Sequence, residues 1–138
     1  MISIIGSGRV GSAIAFLSAA TSLDDVQLVN RHKEKAVGQA LDISNVIPED
    51  SQFSVTSTDF SEIKNSEVVV ISASTATYLT SRTEMLSDQI AMIKDIAKNV
   101  NEFTPDSKIL MVSNPVDVLS YVFLKETGIQ RNHVVGVA

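Results

Sequence analysis

Three glycines at positions 6, 8 and 11 stand in the run Gly6-Ser7-Gly8-Arg9-Val10-Gly11, and their type and spacing suit the holding of phosphate. Gly6 can take a tight turn, Gly8 lets backbone approach a pyrophosphate, and Gly11 lets the following helix lie close to its strand. Arg9 and Val10 would then sit at the positive end of that helix, where an anion is favoured. The spacing alone also occurs in glycine turns of other kinds. Its setting narrows the reading: the apolar Met1-Ile2-Ser3-Ile4-Ile5 precedes it and Ser12-Ala13-Ile14-Ala15-Phe16-Leu17 follows, which is the strand, turn and helix of a dinucleotide-binding fold.

Three further segments carry groups of the right kind. Leu28-Val29-Asn30-Arg31-His32-Lys33 lies about 20 positions beyond the glycines, where an acidic residue normally takes the adenosine ribose hydroxyls. Asn30 is neutral there and Arg31 follows, so a 2′-phosphate would meet a cation in place of a repelling carboxylate, favouring NADP over NAD. A solvated basic turn opening a helix would look the same. Ser72-Ala73-Ser74 begins a small, polar stretch that runs to Arg82, its only cation, and then to a long helical pattern. Such a stretch suits a lid that brings a guanidinium onto a developing negative charge; a helix-end arginine facing water is the plainer alternative. Val112-Ser113-Asn114-Pro115 places an amide with both donor and acceptor before a proline-fixed turn, and the Asn114–Pro115 bond is a candidate for cis. Asn-Pro is also an ordinary turn initiator. Asp42 reads as a structural carboxylate, capping or bonding locally.

Elements able to position these groups alternate along the chain. Strands are expected at Ile2 to Ile5, Val26 to Val29, Phe53 to Thr56, Val68 to Ser72, Ile109 to Val112 and Val134 to Val137. Helices are expected at Val10 to Ala20, Glu34 to Val46, Thr83 to Asn101 and Val116 to Glu126, with Gly128 as a C-cap. In the third helix Leu86, Ile90, Ile93, Ala97 and Val100 form an apolar stripe for the sheet or for another subunit. Right-handed crossovers then give an α/β, doubly wound, Rossmann-type parallel sheet in the order 3-2-1-4-5-6, with ligands outside the carboxyl ends of its strands.

Bulk composition limits the partners. The chain has 138 residues, 44% hydrophobic and 20% charged, enough for one core and one domain over residues 1–138. A net charge of −5 without a clustered basic face argues against nucleic acid or an acidic membrane surface. No apolar run reaches bilayer length, and the first residues lack a basic region and cleavage site, so they read as a core strand and not a signal peptide. The absence of cysteine removes thiolate metal sites and is compatible with the cytoplasm; no metal is expected.

Taken in order, Gly6 to Gly11, Gly38-Gln39-Ala40-Leu41-Asp42-Ile43-Ser44, Val69-Val70-Ile71-Ser72-Ala73, Arg82 and Val112-Ser113-Asn114-Pro115-Val116-Asp117-Val118-Leu119 resemble the N-terminal domain of the lactate/malate dehydrogenase family, nearer its archaeal-type malate enzymes. The resemblance covers the whole chain. It implies that Asn114 lies by the nicotinamide ribose and substrate, and that Arg82 is the lid arginine polarising the carbonyl of a small 2-hydroxy or 2-keto acid. It also implies a homo-oligomer. Asn30 replaces the family's usual Asp, Ser74 stands where Gly is common beside the adenosine pocket, and the malate enzymes' substrate-reading arginine would fall near Ala76 or Thr77. The family's catalytic histidine, its aspartate partner and a further arginine belong to a C-terminal half beyond these residues. His32 and His133 are poorly placed to replace that histidine, so this chain is expected to bind cofactor without turning substrate over. A stand-alone dinucleotide-binding module, or the cofactor domain of an NAD-dependent glycosidase, are the other readings.

Overall fold

In a computed structural model describing residues 1–75 and 81–138, strands and helices alternate. They are β1 (Ile2–Ile5), α1 (Arg9–Ala20), β2 (Val26–Val29), α2 (Lys33–Ser44), β3 (Val55–Ser57), β4 (Val68–Ile71), α3 (Arg82–Phe103), β5 (Lys108–Met111), α4 (Val116–Thr127) and β6 (Val134–Gly136). One six-stranded sheet runs in the order β3-β2-β1-β4-β5-β6. Every pairing is parallel, so all six carboxyl ends share one edge.

Short apolar strands suit the inner part of this sheet, where β1, β2 and β4 are buried on both faces. Ile4 lies level with Leu28 and Val70, while Ile5 lies level with Val29 and Ile71. The first trio packs with Ala15, Ala19, Ala36 and Ala40, and the second with Ile93, Ile96, Ile109, Leu119 and Phe123. Alternation along the strand therefore sorts neighbouring residues into two cores. Small residues of α1 and α2 let those helices lie close on one face. Bulkier side chains fill the α3/α4 side.

The expected architecture and order are present, with shifts at the ends. β3 starts at Val55 and not Phe53, because Val55 is buried level with Val26 while Ser51 and Phe53 close a local turn through the Ser51 hydroxyl. α2 stops at Ser44, two residues short of Val46. Two 3-10 turns, Phe60–Asn65 and Arg131–His133, were not foreseen from the pattern. Ile93, Ala97 and Val100 of the α3 stripe are buried against the sheet, while Leu86 and Ile90 at its start are half-buried. Gly128 takes a left-handed φ of 67° after α4, the conformation a C-cap glycine permits.

Candidate functional site

The glycine turn joins β1 to α1 in the middle of the shared carboxyl edge. Gly6 has a φ of +102°, and a Cβ there would lie 2.5 Å from the Ala73 amide nitrogen, so the turn needs glycine both for its backbone and for its contact with the end of β4. A Cβ on Gly11 would fall 1.8 Å from the Gly6 carbonyl oxygen; this is the close approach of helix to strand anticipated from the sequence. Gly8 differs, because nothing lies within 4 Å of a Cβ placed there. The first intrahelical bond runs from the Ser12 amide to the Gly8 carbonyl, leaving the amides of Arg9, Val10 and Gly11 for a ligand. A backbone cradle of free amides with open space before it fits a pyrophosphate.

Neighbouring strand ends hold the turn in place. The Gly6 amide donates to the Val29 carbonyl at 2.8 Å, and the Ser72 hydroxyl donates to the Gly6 carbonyl at 2.9 Å. Asn30 Nδ2 donates to Ser7 Oγ at 2.7 Å, and Asn30 Oδ1 accepts the His32 amide at 2.9 Å. Further along, the Ser113 hydroxyl donates to the Ala73 carbonyl at 2.6 Å, tying the end of β5 to that of β4. The edge is thus one bonded unit from β2 to β5. Ser7 and Ser113 are buried participants that motif reading passed over; their signal was a small hydroxyl residue just past an apolar strand.

The sequence-predicted residues divide by exposure. Gly6, Ser72 and Ala73 pack into the edge, whereas Gly8, Arg9, Val10, Arg31, Ser74, Arg82 and Asn114 are exposed. Arg82 opens α3 after the Ser81 N-cap, whose hydroxyl accepts the Glu84 amide at 3.1 Å. Asn114 and Val112 follow β5, and the Asn114–Pro115 peptide is cis. Among the described residues the side chains of Arg31, Arg82 and Asn114 form no hydrogen bond or ion pair. Asp42 departs from expectation: it is exposed and bonds to nothing among the described residues, because it faces an open groove. Ala76 and Thr77, and with them most of the expected lid, lie outside the described residues. His32 precedes α2, and His133 precedes β6 at the end of the strand away from the shared edge.

This edge and sheet define a dinucleotide-binding domain of the Rossmann class. The chain belongs to the lactate/malate dehydrogenase family, matching its NAD binding domain over residues 1–136. It is 36% identical over 140 residues to the malate dehydrogenase of Archaeoglobus fulgidus, a match taking in 99% of this chain and 48% of that relative. The apo malate dehydrogenase of Picrophilus torridus superposes with a TM-score of 0.94 at 29% identity, covering 99% of this chain and 45% of that one. The Cryptosporidium parvum lactate dehydrogenase solved with lactic acid and nicotinamide adenine dinucleotide gives 0.92 at 31% identity, covering 99% and 44%. The chain spans about half the length of the curated relatives it matches.

Proposed function

We propose that this chain is the cofactor half of an NAD(P)-dependent 2-hydroxy-acid dehydrogenase of the malate type. The observation that carries the reading is the glycine turn, open in front of Gly8 and bonded into the ends of β2 and β4. Gly6, Gly8, Arg9, Val10 and Gly11 seat the pyrophosphate. Asn30 and Arg31 meet the adenosine ribose, Ser72, Ala73 and Ser74 border the adenosine side, and Val112 and Asn114 border the nicotinamide ribose. The bound nicotinamide supplies hydride transfer to or from the hydroxyl-bearing carbon. Arg82, brought in from α3, stabilises negative charge on the substrate oxygen. Malate is favoured by the relatives at 36% and 37% identity. A neutral Asn30 beside an exposed, uncommitted Arg31 favours NADP over NAD. The working protein is a homo-oligomer of the cytoplasm, the compartment a cysteine-free chain suits.

Fluorescence titration of the purified chain tests this reading. NADPH is expected to bind on the order of tenfold more tightly than NADH, about the value of one charge-assisted contact at a solvated site. Equal affinities would remove the NADP preference while leaving the dinucleotide site, and no binding of either would remove both. Assayed with malate or lactate, the same preparation is expected to show no turnover, because neither His32 nor His133 stands where proton exchange with the substrate is needed. Turnover would sink the division of labour proposed here.

A further inference from the structure

A groove of about 530 Å³ opens beside the glycine turn, between the start of α1 and the outer face of α2, and is walled by Ser7, Arg9, Ser12, Lys35, Gln39 and Asp42. Of the cations after β2, Lys33 is spent on Asp59 at 3.2 Å. Lys35, two residues on, points another way round the helix and reaches the groove. Neither Arg9 nor Lys35 forms an ion pair among the described residues, although the Asp42 carboxylate shares their groove. Two cations against one carboxylate leave the groove suited to an anion.

The bonding of Asn30 says which anion. Its carbonyl oxygen accepts the His32 amide and its nitrogen donates to Ser7 Oγ, on a residue that is only 4% exposed and also walls the groove. Asn30 therefore commits one donor and one acceptor site to the chain, and with a single oxygen it lacks the second acceptor with which a carboxylate would take both hydroxyls of a ribose diol. The hold on that edge falls to the positive groups around it, and the groove begins where the Asn30–Ser7 bond ends. We infer that Arg9 and Lys35 form the second wall of a site for the phosphate monoester on the adenosine ribose, opposite Arg31. Lys35 is suited to the task, since a point charge on a flexible stem can follow a phosphate without a fixed geometry. This inference rests on the proposed seating of the adenosine ribose at the end of β2.

The test compares 2′,5′-ADP with 5′-AMP on the purified chain by calorimetric titration. Lys35→Gln is expected to lower the ratio of their affinities on the order of tenfold, the worth of one charge-assisted contact. Asp42→Asn is expected to raise the ratio, by removing the carboxylate that opposes the anion. An unchanged ratio in both variants would overturn the inference. Should Arg31→Gln erase the preference while Lys35→Gln does not, the NADP reading stands and the groove falls. Should the unmodified chain show no preference, the NADP reading falls, and a lower ratio in Lys35→Gln still supports the groove.

Discussion

At the residue scale the three glycines of one turn separate into different physical roles, and substitution should separate them too. Gly6→Ala forces a Cβ into the Ala73 backbone at a φ of +102°, so stability should drop by about 1–3 kcal/mol or more. Gly8→Ala meets open space, so its melting temperature should stay near that of the parent while dinucleotide affinity falls. Paired thermal melts and NADPH titrations check this; a stability loss at Gly8 equal to that at Gly6 would contradict it. The spacing of the glycines was legible because each role fixes its interval from the others along a continuous run. The bonds from Ser72 to Gly6 and from Ser113 to Ala73 were not, since they join residues 66 and 40 apart that meet only once the parallel sheet has formed. Lys35 was passed over for a similar reason: its role depends on which face α2 turns to α1.

Elements were legible in proportion to how strongly burial imposes a period. Central strands β4 and β5 are flanked on both sides and occur close to where continuous apolar runs placed them. β3 pairs with β2 alone, and its start shifts to the first residue that both pairs and is buried. The 3-10 turn Phe60–Asn65 buries only Ile63 fully, too little to leave a pattern. Helix ends depend on single residues and give a sharper prediction. Gly128 sits at a φ of 67° with nothing within 4 Å of a Cβ, so Gly128→Ala pays only for backbone conformation. The loss should be about 1 kcal/mol in denaturant unfolding, and Gly128→Asn should lose less, because Asn tolerates this region better than Ala. Equal losses for the two would place the effect in packing.

For the whole molecule the question is what the outer faces are built to meet. Two cores form within the described residues, one on each face of the inner strands, while Val135 of β6 stays 52% exposed. Yet Phe16 and Leu17 on α1, and Val37 and Leu41 on α2, remain exposed on neighbouring helices, with Leu41 at 61%. On α3 most of the apolar stripe packs on the sheet, with Leu86 and Ile90 half-buried at its start. Apolar side chains gathered on adjacent elements favour association by removing their area from water, at about 25 cal/mol for each Å² buried. Sedimentation velocity over a rising concentration series should therefore show reversible self-association. Leu17→Glu combined with Leu41→Glu should shift it toward monomer without lowering the melting temperature, because both positions are exposed in the single chain. A monodisperse monomer at the highest concentration would show that these helices do not drive assembly, and a loss of fold in the double variant would show that their outer turns are not free surface.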